Sequence, residues 1–225
     1  MDRYRHVLLD ICVQKDLFEP GGSCYRPEAR SAARNIPRLF AWARSGHVPV
    51  ISIVLRVHPR RLGPLAAVPH CVEGSVGEQR IAGTVLPACI DLGMRHTTDL
   101  PRDIFRHYQQ VVFEMRFTDI FAHPRAERLL TELEVGQFIV CGAGSARGIV
   151  EAVVGLRARG IGVILAADAI LDLGDPAAGY AWLRMLAKGA VALSTEQIVS
   201  RLSPPEGRRP AGRRRRGATG RALTG

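Results

Sequence analysis

Lysine is nearly missing from this chain. Of 31 basic residues only Lys15 and Lys188 are lysine, a bias read as compositional rather than functional. Aromatic residues make up only 6% of the sequence. No apolar run approaches the ~20 residues that a membrane-spanning helix needs, so no membrane partner is expected. No secretory leader is legible, because Asp10 and Lys15 interrupt the one N-terminal apolar stretch and no small-residue cleavage site follows it. The five cysteines, Cys12, Cys24, Cys71, Cys89 and Cys141, lack metal-ligand spacing. Their odd number argues against a disulfide framework and for a reducing, cytoplasmic location.

What is present fits one α/β domain. At 225 residues and 47% hydrophobic content, the chain can bury a full core. Apolar runs at residues 6–13, 48–55, 109–114, 138–141 and 162–167 read as parallel strands buried on both faces, with a sixth near 190–193. Helical periodicity occupies 26–45, 125–133, 148–159, 181–187 and 195–202, whereas 168–180 carries turn residues. This alternation predicts a doubly wound, mostly parallel sheet of about six strands with helices on both faces. The domain is placed at residues 1–202. Residues 203–225 follow as an arginine-rich tail with Arg208, Arg209, Arg213, Arg214, Arg215, Arg216 and Arg221 against Glu206 alone. With so little apolar content the tail is expected to be disordered. It could contact nucleic acid or an acidic partner through 208–221, although it lacks interleaved aromatics.

The most informative segment is 138–149. Phe138–Cys141 reads as a buried strand, Gly142–Ser145 as a turn, and Ile149, Val150, Val153 and Val154 as the buried side of a helix. Such a turn presents helix N–H groups and the positive end of the dipole to whatever lies before it. The frame Gly142-Ala143-Gly144-Ser145-Ala146-Arg147-Gly148-Ile149 resembles the nucleophile turn of the isochorismatase and nicotinamidase cysteine hydrolases, and Asp168-Ala169 resembles a pair that follows it in that family. Three further blocks, in the family's order, are similar to its motifs: Cys12-Val13-Gln14-Lys15-Asp16-Leu17-Phe18, the Pro69–Gly77 segment containing His70-Cys71, and Glu114–Phe121. The resemblance spans about residues 5–200. It implies an isochorismatase-like fold and, for many relatives, an oligomer.

The resemblance also implies an aspartate base, a lysine that stabilises charge and a cysteine nucleophile. The matching positions hold Cys12, Met115 and Gly148. Joint replacement has a physical logic, since losing one member of a buried charged cluster costs roughly 3–5 kcal/mol while neutral replacement of the set can be harmless. The metal ligands of nicotinamidase-like members match Arg56, His58 and His70. A guanidinium cannot coordinate, so no metal and no other cofactor is expected and the two histidines are vestigial.

The chain thus reads as a catalytically degenerate family member, with no catalytic residue expected and a small-molecule or partner-binding pocket retained. Arg56, Ala143, Gly144, Arg147 and Gly148 would line it and suit a small anionic metabolite. One alternative is an active hydrolase of a small amide-like C–N bond with a relocated nucleophile, Cys12, its pKa lowered by Arg56 or Arg147. Asp10, about 6.6–7 Å back along the strand, and Ser145 are weaker candidates. Another alternative is an oligomeric interaction module.

Overall fold

The computed structural model describes residues 3–59, 69–116 and 119–202. The tail, with all of its arginines, lies outside the described residues, as do Phe117 and Thr118 of the fourth motif block.

Seven parallel strands form one sheet in the order β3-β4-β2-β1-β5-β6-β7. They are β1 (Tyr4–Ile11), β2 (Val50–Leu55), β3 (Cys89–Asp91), β4 (Gln110–Met115), β5 (Val135–Ala143), β6 (Gly162–Leu171) and β7 (Val191–Leu193). The central strands are continuous apolar runs because both faces are covered. On one face, α4 (Pro124–Glu132), α5 (Val150–Ala158) and α6 (Ala178–Ala187) pack over Leu9, Ile11, Phe113 and Val140. On the other, α2 (Ala29–Ser45) and α7 (Thr195–Arg201) cover Leu8, Val50 and Ile139. In α2 the buried residues Ile36, Leu39, Phe40 and Ala43 recur at helical spacing, leaving Arg30, Arg34, Arg38 and Arg44 on its other sides.

The doubly wound parallel sheet is as the sequence predicts, with seven strands rather than about six. The additional strand is β3, three residues at the sheet edge that the sequence reading left unassigned. It is too short for alternation to reveal, and its register comes from pairing Ile90 with Val111. Residues 168–180 are corrected as well: β6 runs on to Leu171 across a register shift against β5, and α6 starts at Ala178. Two one-turn helices, α1 (Lys15–Phe18) and α3 (Ile104–His107), also fall between the predicted elements.

Gly142 ties sequence to topology most directly. It adopts φ +126°, and a Cβ there would lie 2.0 Å from the Ile11 carbonyl oxygen. Only glycine lets β5 approach β1 this closely where both strands end.

Candidate functional site

In an open α/β sheet, ligands sit beyond the carboxyl ends of the strands. The motif residues converge there: Cys12 follows β1, Arg56 follows β2, Met115 ends β4, and Gly148 lies in the turn after β5.

Gln14 organises this end. It is fully buried, its amide nitrogen donates to the carbonyls of Leu55 (2.7 Å) and Glu78 (2.8 Å), and its amide oxygen accepts from Leu55 N–H (2.8 Å). One side chain therefore joins the ends of β1 and β2 to the 71–80 loop. Asp16 adds a second clamp, accepting from Cys71 N–H at 2.6 Å and Ser23 N–H at 3.1 Å. A Cβ at Gly77 would fall 2.0 Å from the Asp16 carboxyl carbon, so this residue must be glycine for the loop to close.

The positions that the resemblance implies for catalysis hold Cys12, Met115 and Gly148. Burial, reinforced by the Asp10 charge, pushes the Cys12 thiol up to about 12, well above a free cysteine. The sequence reading would have Arg56 or Arg147 lower this pKa. Arg80 is the guanidinium that acts on Cys12, and it does not offset the burial. Met115 is buried in the apolar core with Phe113. Gly148 is buried within a single π-helical turn, Ser145–Ile149, that precedes α5. In this turn Arg147 departs from helical geometry (φ −134°, ψ −113°), and the N–H groups of Arg147 and Ile149 both donate to the Gly144 carbonyl. Part of the N–H array that would face an anion is thus used internally. Ser145 is buried, and its hydroxyl makes no hydrogen bond with any described residue.

Asp10 sits beneath the site with no exposed surface. It accepts from Ser52 Oγ (2.5 Å) and Arg80 Nη2 (2.7 Å). Gln110 extends the network by donating to Ser52 Oγ and the Thr84 carbonyl while accepting from Leu86 N–H. Arg80 Nε donates to the Thr84 carbonyl, and its guanidinium lies 5.5 Å from the Phe40 ring centroid. Burial raises the Asp10 pKa, against which Arg80 and Ser52 pull the other way. A carboxylate sealed in this way is a structural group rather than an accessible base. Sequence reasoning missed its partner Arg80, whose separation of 70 residues from Asp10 leaves no local signal.

Arg56, expected to line an anion pocket, is held by three carboxylates: Glu78 at 2.5 Å, Asp91 at 2.7 Å and Glu114 at 3.4 Å. Glu114 also pairs with Arg116 at 2.9 Å. These bonds hold the Arg56 pKa above its ordinary value against the cost of burial. Arg147 is exposed and bonded to Asp175 at 3.2 Å. Ala143 and Gly144 close β5, the latter at φ +86°. Among the described residues no group of three His, Cys, Asp or Glu could hold a metal ion. Arg56 stands where the resemblance implies a carboxylate ligand, and a guanidinium does not coordinate a divalent cation.

Asp168 and Asp119 also have structural work. The Asp168 carboxylate accepts from the backbone N–H and hydroxyl of Thr195, both at 2.7 Å, and so fixes the start of α7 against β6. Asp119 caps the short turn Ile120–Ala122 by accepting from Phe121 N–H.

Comparison with known proteins agrees with this geometry. Residues 96–197 match the isochorismatase domain family model. N-carbamoylsarcosine amidase from Thermoplasma acidophilum superimposes with a TM-score of 0.66 at 14% identity, over 86% of this chain and 98% of that one. This chain has the isochorismatase-like fold. Nicotinamidase from Bacillus subtilis shares it with a TM-score of 0.63 at 16% identity, covering 84% of this chain and 99% of that one. The pyrazinamidase of Pyrococcus horikoshii, solved in complex with zinc, has a TM-score of 0.63 at 17% identity, covering 84% and 99%. No curated protein matches the sequence. Identities this low show the shared fold alone.

Proposed function

We propose that this isochorismatase-like protein is a non-hydrolytic member of its superfamily that uses the carboxyl end of the sheet to bind rather than to transform. The observation that carries this reading is the set Cys12, Met115 and Gly148. One thiol has its pKa pushed up to about 12, one thioether is buried in the core, and one position has no side chain. None supplies a base, a stabilising cation or a nucleophile at neutral pH.

The ligand that fits is small and hydrogen-bonding, not strongly anionic. Arg56, Ala143, Gly144, Arg147 and Gly148 remain the residues that would surround it, with the unpartnered Ser145 hydroxyl as a further contact. An anionic metabolite would have to draw Arg56 or Arg147 away from carboxylates those residues already hold. The free cysteines support a reducing cytoplasm as its location.

Ammonia release from nicotinamide, pyrazinamide and N-carbamoylsarcosine by the full-length protein tests the reading. It should equal the buffer background, and turnover abolished by Cys12→Ala would establish the relocated-nucleophile hydrolase instead.

One observation favours self-association alongside this role. Tyr180, Leu183 and Leu186 of α6 and Val191 of the edge strand β7 are exposed together. Tyr180 and Leu183 lie three residues apart on α6 and so share one face of that helix. A second copy could bury it about a two-fold axis, pairing the two open β7 edges with each other. Sedimentation velocity should show a dimer that Leu183→Glu dissociates, and a wild-type monomer at high micromolar concentration would remove this reading.

A further inference from the structure

At the opposite, amino-terminal edge of the sheet lies a groove of about 260 Å³ lined by Arg3, Tyr4, Arg5, His6, His47 and Leu202, among others. None of its lining residues is acidic. The side chains of Arg3, Arg5 and His47 make no ion pair or hydrogen bond with any other described residue. Two more arginines with no partner among the described residues flank the groove in sequence: Arg44, in the last turn of α2 before Gly46 and His47, and Arg201, which ends α7 before Leu202. Tyr4 also lines a second groove, which holds Arg102, Phe105 and Arg128, and its ring packs edge-on against Phe105 at 5.8 Å. The carboxylates of that second groove have partners already, Asp103 with Arg106 and Glu132 with Arg128.

We propose that this edge is a binding track for the phosphate backbone of a nucleic acid, entered at Arg3, Arg5 and His47 and continued past Tyr4 toward Arg102. Charge complementarity identifies the partner. The track offers free guanidinium groups, which suit phosphate oxygens, beside the half-buried aromatic rings of Tyr4 and Phe105. Leu202, on the groove rim, is also where the chain continues into residues 203–225, whose seven arginines oppose a single glutamate. The chain's net charge of +10 favours the same partner at long range. Cations near the ends of α2 and α7 also complement two helix dipoles. That role needs only one charge in each last turn and leaves Arg3, Arg5 and Arg102 unexplained. Whether the carboxyl end hydrolyses anything has no bearing on this site.

The test is fluorescence anisotropy of a labelled single-stranded oligonucleotide of about 20 nucleotides, with full-length protein, from ~50 to ~200 mM salt. The variants are Arg3→Ser/Arg5→Ser/His47→Ser in the groove and Arg213→Ser/Arg214→Ser/Arg215→Ser/Arg216→Ser in the tail. The groove variant should keep the wild-type unfolding midpoint, because its three sites are exposed. It should bind about tenfold more weakly and lower the slope of log K against log salt by roughly 1.5, as for two lost phosphate contacts. No binding by the wild type overturns the proposal. So does a groove variant that binds like the wild type while the tail variant does not, since the tail would then act alone. Displacement of the oligonucleotide by millimolar inorganic phosphate would reduce the groove to a single-anion site, and equal binding of polyglutamate would make the partner an acidic protein. Either result also overturns it.

Discussion

The two ends of the sheet treat positive charge in opposite ways. At the carboxyl end Arg56, Arg80, Arg116 and Arg147 each hold at least one carboxylate. At the amino end Arg3, Arg5, Arg44, Arg102 and Arg201 hold none among the described residues. The fold locates ligands at the first of these ends. There these four cations are spent on holding the loop and strand ends together, whereas the five at the other end remain available. A count of arginines cannot show this, because a guanidinium surrounded by carboxylates attracts an anion far less than one facing water.

The sharpest way to break the contrast is to free a buried cation. Asp10→Ala leaves Arg80 in the interior without its carboxylate, and breaking a buried pair from one side costs about 3–5 kcal/mol. Urea unfolding should show that loss, while Asp10→Leu combined with Arg80→Met should recover most of it. A loss below about 1 kcal/mol would mean that water reaches Arg80 and the network is not sealed. The next effect is Arg56→Ala, which removes the cation between Glu78, Asp91 and Glu114. Because Arg56 retains 26% of its side-chain exposure, solvent screening limits the cost to about 1–2 kcal/mol. Substitution by lysine should restore only part of that, since an ammonium cannot reproduce a forked contact to several carboxylates.

The sequence made the sheet legible because five of its strands are long apolar runs that need no tertiary context to recognise. It did not reveal β3, whose three residues become a strand only by lying against β4. At the site, the motif blocks located Cys12, Met115 and Gly148 because flanking residues such as Gln14 and Gly142 have geometric jobs that admit few substitutes. The charges around them were not legible. The partners of Arg56 lie 22, 35 and 58 residues away, on a loop and two different strands. A pattern read along the chain registers each of these groups as a lone charge. Only the fold shows that together they nearly cancel.

Cys12 gives the comparison a chemical readout. A folded pKa of about 12 lies above the value of about 8.5 for free cysteine, so the protonated thiol is favoured and the thiolate appears only as pH rises. At pH 7 about one molecule in 10⁵ would carry it. Alkylation of Cys12 by iodoacetamide should therefore be slow below pH 9 and rise about tenfold per pH unit. Cys12→Ala should remove no fast phase at neutral pH. A fast phase titrating below 8 and lost in that variant would place a usable nucleophile at the carboxyl end after all.

The smallest effect expected is at the amino edge, and its smallness is what gives it force. Arg5 is exposed and holds no carboxylate among the described residues, so Arg5→Ala should change unfolding stability by less than about 0.5 kcal/mol. Its charge acts on the neighbouring imidazole: Arg5, after the larger effect of burial, depresses the pKa of His6. Removing Arg5 should let that pKa rise, observable as a higher titration midpoint of the His6 ring resonances by NMR. The sign is decisive. If Arg5 were a structural cation like Arg56, its loss would destabilise the fold, whereas relief of repulsion at unchanged stability marks a charge that the fold does not require. A destabilisation above about 1 kcal/mol would show that both ends use their arginines alike, and the contrast between them would collapse.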